Sequence, residues 1–204
     1  MHPNPAFRQT PAEANLAFAR SRGFATLAVN AAAGPLLSHI PFLLADDGAS
    51  VELHLVRSNP IVPLIATPQP AVLSVTGPEG YISPDWYGLP DQVPTWNYVA
   101  VHLRGRLELS PEAALRPLLD RLSDHFEALL LPKTPWTSAK MSPGSMERMM
   151  RMIVPCRLIV EDVQGTWKFG QNKPEAARLG AADGLEAAAL SPEAATLATL
   201  MRNA

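Results

Sequence analysis

The segment from Tyr98 to Leu109 alternates between apolar and polar side chains, the pattern of a β-strand with one buried face. Its apolar row consists of Val99, Val101, Leu103, Leu107 and Leu109. The opposite row is polar and includes His102 and Arg104. This run exceeds the usual strand length of about three to ten residues. We therefore expect a long strand in a barrel or a strongly coiled sheet.

Short connections between the strand-like runs constrain the topology further. Residues 24–29, 36–44 and 51–56 are rich in β-forming side chains, and they are separated by Gly34-Pro35 and by Asp46-Asp47-Gly48. A parallel connection needs a crossover of about a dozen residues or more, so these runs are predicted to be antiparallel. A further strand is expected at 71–76.

The last strands are predicted as a pair at 158–163 and 166–169, with a turn at Gln164-Gly165. Helices are predicted at five places: 10–23, a short segment near 60–66, 110–130, a segment opening at Ser142-Pro143, and a terminal helix opening at Ser191-Pro192. Met146, Met149 and Met150 are expected to pack as the apolar stripe of the fourth helix. The architecture is a β-barrel with peripheral helices.

Composition excludes several classes of function. With 47% apolar residues and 18% charged residues, the chain can bury one sizeable core, and a net charge of -2 offers no footprint for DNA, RNA or anionic membrane. The N-terminus has no apolar signal segment and no run is long enough to cross a membrane, so we expect a soluble cytoplasmic protein. The single cysteine, Cys156, is expected in the core.

Known catalytic and nucleotide motifs are missing from the chain. It contains no Gly-x-Gly and no Gly-x-Ser-x-Gly, which excludes the dinucleotide fingerprint, the Walker loop and the hydrolase elbow. The histidines are scattered without metal-ligand spacing. We predict no metal site and no dedicated catalytic residue. Residues 1–173 are predicted as the barrel domain and 174–204 as an alanine-rich helical extension.

Three clusters could bind a ligand. All three tyrosines and two of the four tryptophans lie within 81–98, which suits a planar heteroaromatic ligand or a loop that packs on itself. Arg57-Ser58-Asn59-Pro60 could hold a phosphate monoester, or could be a helix cap beside a surface arginine. Lys168, Gln171 and Asn172 could contact a ligand with donors and acceptors, or could form a strand end and a cap for the segment after Pro174.

The order of these motifs resembles a known family. The motifs are Ser38-His39-Ile40-Pro41-Phe42, His54 to Pro60, Gly77-Pro78, Tyr81-Ile82-Ser83-Pro84 with Trp86-Tyr87, Pro94-Thr95-Trp96-Asn97-Tyr98, and Trp167-Lys168 with Gln171-Asn172-Lys173-Pro174. Over roughly residues 1–185 they resemble the PaiB-like group of FMN-binding negative transcriptional regulators. Phe169-Gly170 departs from the pattern, and the tail after about 185 has no counterpart in it.

The resemblance implies an antiparallel FMN-binding split β-barrel, related to pyridoxine 5′-phosphate oxidases and flavin reductases. It also implies a homodimer that binds FMN between its subunits. Its implied phosphate contacts are Arg57, Ser58 and Asn59, and it places His39 and His54 on adjacent strands beside the flavin. Trp96 is the implied stacking ring. The ring edge or the ribityl chain is left to Asn97, Lys168, Gln171 and Asn172.

Two functions follow from that resemblance. In the first, the FMN dimer is an oxidoreductase that passes electrons between a reduced nicotinamide or similar donor and a small-molecule acceptor. In the second, FMN is a signal, and the protein represses transcription directly or through a partner. Direct nucleic-acid binding is not expected, because the chain shows no helix-turn-helix and no basic stripe. A haem-handling split barrel is a third alternative, which the scattered histidines do not favour.

Overall fold

The computed structural model describes residues 1–204 and contains seven strands and five α-helices. The strands are β1 (Phe24–Val29), β2 (Leu36–Pro41), β3 (Leu43–Leu44), β4 (Ser50–Val56), β5 (Gln69–Ile82), β6 (Thr95–Leu109) and β7 (Ile153–Lys168). The helices are α1 (Ala12–Arg22), α2 (Leu115–Ala128), α3 (Ser145–Met150), α4 (Glu175–Ala188) and α5 (Ala194–Arg202).

All seven strands belong to one sheet with the order β2-β1-β5-β6-β7-β4-β3. The pairs β1–β2, β1–β5, β3–β4 and β4–β7 are antiparallel. In the first of these pairs Thr26 lies opposite His39, and in the last His54 lies opposite Pro155. The predicted antiparallel layout is therefore confirmed.

The chain forms two compact units. The first unit comprises residues 1–18, 75–102 and 163–204, and the second unit comprises 19–74 and 103–162. Strands β5, β6 and β7 contribute residues to both. No helix of the structure has the length and apolar character needed to cross a membrane.

The core of the first unit contains residues from the strands and from the C-terminal helices. Its buried members are Ile82, Tyr87, Val99, Phe169, Ala177, Ala181, Ala182, Leu185, Ala194, Leu197, Ala198 and Met201. The Trp86 indole packs against α4 at Gly184, where an added Cβ would lie 2.4 Å from the ring. Glycine is therefore required there, and the segment 174–204 shares its core with residues of β5 and β6.

In the second unit, alternate residues of β1 and β4 face the core. Leu27, Val51, Leu53 and Leu55 are almost fully buried, and Leu103 and Leu107 of β6 join them. The predicted apolar row of β6 is confirmed except at its end, because Leu109 is 40% exposed. Cys156 is buried as expected, and burial raises the pKa of its thiol to about 12.

The predicted turn at Gln164-Gly165 is wrong, because β7 runs without a break from Ile153 to Lys168. Gly165 has a different role, since a Cβ there would lie 2.0 Å from Asn15 Oδ1. The buried Asn15 accepts a 2.7 Å hydrogen bond from Trp167 Nε1 and donates to Thr10 O. Glycine at 165 thus marks a close approach of the N-terminal segment to the strand.

Two helix predictions also need correction. The segment 60–66 consists of turns and a single 3-10 turn at Leu64–Ala66. Helix α3 is only six residues long and has no buried residue, and Met149 is 56% exposed. The expected methionine stripe is therefore not a packed core face.

Candidate functional site

The ten residues predicted to contact a ligand fall into both units, five in each. Those in the second unit are His39, His54, Arg57, Ser58 and Asn59. Those in the first unit are Trp96, Asn97, Lys168, Gln171 and Asn172.

His39 and Asn59 are held by side-chain hydrogen bonds. The exposed His39 shares a 3.0 Å hydrogen bond between its Nδ1 and Thr26 Oγ1. Asn59 Oδ1 accepts from the Ile61 N–H at 3.0 Å, and Asn59 Nδ2 donates to Ser38 Oγ at 3.2 Å. His39 and His54 lie on β2 and β4, two strands that contact each other but are not hydrogen-bonded neighbours in the sheet order.

Arg57 is exposed and is anchored by the backbone between the end of α3 and the start of β7. Its Nε donates to Arg151 O at 3.0 Å and its Nη2 to Ile153 O at 3.3 Å. These bonds use two of the five N–H donors of a guanidinium, so the group is oriented and can still bind an anion. Because no regular helix begins at Pro60, the expected helix N-terminus contributes nothing here.

His54 lines a cavity of about 260 Å³ in the second unit. We call it the histidine cavity, and its walls include Pro41, His54, Leu122, Phe126, Glu127 and Trp136. The His54 Nδ1 atom is buried and has no hydrogen-bond partner. Burial lowers the pKa of the imidazole, because the surroundings disfavour its charged form.

The first unit holds a polar cavity of about 210 Å³. We call it the lysine cavity, and its walls include Tyr87, Thr95, Asn97, Lys168, Asn172 and Lys173. Asp91 also lines it and has a φ of 55°, in the left-handed region that non-glycine residues rarely adopt. Backbone strain of this kind tends to occur at functional sites.

Asn97 is fully buried on the wall of the lysine cavity. Its Nδ2 contacts Met201 Sδ at 3.5 Å, and its Oδ1 has no hydrogen-bond partner. A buried amide oxygen without a donor is costly, at about 1–3 kcal/mol, and calls for an explanation. A ligand that brings an N–H or O–H group into the cavity would supply the missing donor.

Two ammonium groups face the same cavity. Lys168 Nζ donates to Trp96 O at 2.7 Å and to Thr95 Oγ1, while Lys173 Nζ donates to Gln92 Oε1 and lies 4.4 Å from the centre of the Tyr87 ring. Burial, and secondly the charge of Lys173, lower the pKa of Lys168. The cavity thus combines two cationic donors with one buried acceptor.

The other predicted residues of this unit have different surroundings. Trp96 is 52% exposed and meets the Tyr81 ring edge-on at 6.3 Å, so most of its indole is free to contact another molecule. The Gln171 amide is used within the fold, because it bonds Phe169 N, Trp167 O and Ala6 O. Asn172 lines the lysine cavity and does not cap α4, whose cap position is Pro174.

Three further residues line the lysine cavity and are not among the predicted contacts: Lys173, Gln92 and Asp91. Lys173 adjoins the predicted Gln171-Asn172 pair, so a wider window would have included it. Gln92 and Asp91 lie in the connection between Tyr87 and β6, and no sequence pattern distinguishes them from ordinary loop residues. The lysine cavity becomes visible only once that connection is folded.

Solved structures share this architecture. The flavocytochrome Anf3 from Azotobacter vinelandii superposes with a TM-score of 0.61 at 17% identity, covering 83% of this chain and 73% of that one. The FAD and haem binding protein from Mycobacterium smegmatis superposes with a TM-score of 0.59 at 19% identity, covering 80% of this chain and 74% of that one. The fold is an antiparallel split β-barrel, as predicted.

Sequence comparison defines the family within that class. The family model described as "Putative FMN-binding domain" matches residues 1–162, and the chain belongs to this family. It is also 29% identical over 199 residues to the Bacillus subtilis protein named "Protease synthase and sporulation protein PAI 2", covering 97% of this chain and 94% of that protein. The PaiB-like resemblance and FMN as the cofactor are thereby confirmed.

Proposed function

We propose that this protein is an FMN-binding homodimer that passes electrons between a small-molecule donor, such as a reduced nicotinamide, and an acceptor. The observation that carries the proposal is the buried, unpartnered Asn97 Oδ1 on the wall of the lysine cavity. FMN supplies hydride and electron transfer when it is bound, so the chain needs only to bind, orient and tune it.

The lysine cavity fits the pyrimidine edge of a flavin. That edge presents one N–H donor between two carbonyl oxygens, and the cavity offers the complementary set. Asn97 Oδ1 would accept from the N–H, and the ammonium groups of Lys168 and Lys173 would donate to the carbonyl oxygens. At about 210 Å³ the cavity suits one end of the ring system rather than the whole cofactor.

Arg57 and Ser58 are the proposed contacts to the FMN phosphate. Arg57 is exposed, fixed through two backbone carbonyls, and keeps donors for an anion. Ser58 is exposed next to it and offers a hydroxyl. Asn59 supports this turn through its bonds to Ser38 and Ile61 rather than through a free amide. A phosphate carries between about one and two negative charges near pH 7, which the guanidinium would compensate.

Dimerisation is supported by apolar side chains close to Arg57. Val56 is 52% exposed and Met152 is 62% exposed, and the Arg57 N–H donates to Met152 O. Contiguous exposed apolar patches mark interaction sites, and we take Val56 and Met152 as part of such a patch. A second copy would cover them and would bring its own residues to the cofactor.

The test is anaerobic reduction of the purified, FMN-loaded dimer by NADH and by NADPH. The readout is the loss of the absorption bands of oxidised flavin. We expect reduction by one of the two nicotinamides and recovery of the bands when an acceptor is added. Tight FMN binding without reduction would favour the regulatory function, which an operator-binding assay would then examine. An intense Soret band would indicate haem instead.

A further inference from the structure

The histidine cavity of the second unit has the size of a single aromatic ring. Its volume is about 260 Å³. The cavity is open to solvent on one side, and its volume lies below the roughly 300 Å³ at which pockets for drug-sized ligands begin. Leu119 and Leu122 of α2, with Pro41 at the end of β2, supply aliphatic walls. The rings of Phe126 and Trp136 can add edge or face contacts to an aromatic guest.

One polar atom in this apolar wall lacks a partner. His54 lines the cavity, and its buried Nδ1 makes no hydrogen bond. Two other polar groups of the wall already have partners, because Ser123 Oγ donates to Leu119 O at 2.9 Å and Glu127 Oε2 accepts from the backbone N–H of Trp136 at 2.7 Å. A guest with a single hydroxyl or carbonyl group would therefore satisfy the one buried polar atom of the wall that lacks a partner.

The charges around the cavity select a neutral guest. Glu127 also accepts a hydrogen bond from Lys133. The bond from Lys133, and to a smaller extent the one from the Trp136 N–H, lower the pKa of the Glu127 carboxyl, which is therefore anionic near pH 7. The buried imidazole of His54 is neutral there, because burial lowers its pKa. An anionic guest would find no cation in the wall to pair with, because the nearby Lys133 is already bonded to Glu127.

We propose that the histidine cavity binds a small, uncharged aromatic molecule that carries one hydroxyl or carbonyl group, hydrogen-bonded to His54 Nδ1. Phenol is the simplest probe of this class. The site lies wholly within the second unit, and the proposal requires that FMN does not occupy it.

The test is a ligand-observed NMR titration of the full chain saturated with FMN, using phenol, toluene and benzoate. We expect phenol to bind with a Kd on the order of 1 mM or tighter. Toluene should bind about fivefold more weakly, because it makes no hydrogen bond, and benzoate should not bind. The His54→Leu variant should bind phenol about fivefold more weakly, because one neutral hydrogen bond is lost. Its affinity for toluene should stay within about twofold of wild type.

Two variants on α2 separate binding in the cavity from binding elsewhere. Ser123→Leu places a larger side chain in the wall and should abolish binding of phenol and toluene. Asp124→Leu makes a similar change at the next, exposed position and should leave both unchanged. Far-UV circular dichroism and a thermal melt show that each variant is folded.

Four results would overturn the proposal. The first is benzoate binding as tightly as phenol, and the second is phenol binding that survives Ser123→Leu. The third is phenol that binds the flavin-free chain and is displaced by added FMN, which would assign the cavity to the cofactor. The fourth is no binding of phenol at all, in which case a bound water would satisfy His54 Nδ1. None of these results affects nicotinamide-dependent reduction of FMN, so the proposed function is tested separately.

Discussion

Asn97 Nδ2 lies 3.5 Å from the sulfur of Met201, whereas Asn97 Oδ1, in the same buried side chain, has no hydrogen-bond partner. The contact ties β6 to the last helix of the chain. The unpaired oxygen leaves the fold with a polar group that costs about 1–3 kcal/mol without its ligand.

Replacing this side chain should therefore separate stability from cofactor binding. Asn97→Leu removes the unpaired oxygen at similar volume, so the free energy of unfolding of the flavin-free protein should stay the same or rise. FMN affinity should fall about three- to tenfold, because one ring hydrogen bond is lost. Urea denaturation and an FMN titration measure the two effects. A large loss of stability with unchanged FMN affinity would mean that Asn97 is a structural residue only.

Gly165 should tolerate no side chain while Asn15 is present. A Cβ at position 165 would lie 2.0 Å from Asn15 Oδ1, so Gly165→Ala should lower the free energy of unfolding by about 1–3 kcal/mol. In an Asn15→Ala background the same change should cost much less, because the clashing atoms are gone. Additive losses in the double variant, measured by urea denaturation, would refute this contact as the cause.

His54 should make stability depend on pH below neutrality. Burial lowers its pKa in the folded state, so the unfolded chain binds the proton more readily. The free energy of unfolding should then decrease as the pH falls below about 6.5, the ordinary histidine value, and continue to fall until the folded-state pKa is passed. The free energy of unfolding, measured by urea denaturation between about pH 5.5 and 7.5, should change less steeply with pH in His54→Gln than in wild type. Equal slopes would mean that His54 titrates alike in both states.

The topology followed from short turns and from period-two patterning, and both are local signals. The connections after Val29 and Leu44 admit only antiparallel neighbours, and the structure has them. The turn prediction that rested on a single glycine is wrong. Gly165 lacks a side chain because Asn15, which lies far away in the sequence, closely approaches the strand at that position.

The site was predictable only in part, for the same reason. The family resemblance implies Trp96 and Asn97 as contacts, and the polar cluster at 168–172 indicates Lys168. Asn97 and Lys168 do line one cavity. Gln171 has the right chemistry for a ligand, but three backbone partners take up its amide. Lys173 was passed over, although its ammonium faces the cavity. Such differences depend on which partners the fold supplies, and a residue type does not encode them.

The most direct test compares FMN with riboflavin on wild type and on Arg57→Ala, by calorimetric titration into flavin-free protein. Removing one partner of a charged hydrogen-bonded pair costs roughly 2–5 kcal/mol, and Arg57 is exposed, so we expect the lower end. FMN should therefore bind about 30-fold more weakly to Arg57→Ala than to wild type, and the affinity for riboflavin should stay unchanged. The control variant Arg148→Ala, changed at another exposed arginine, should bind both flavins as tightly as wild type does. Equal losses for FMN and riboflavin, or no FMN binding by wild type, would contradict the account.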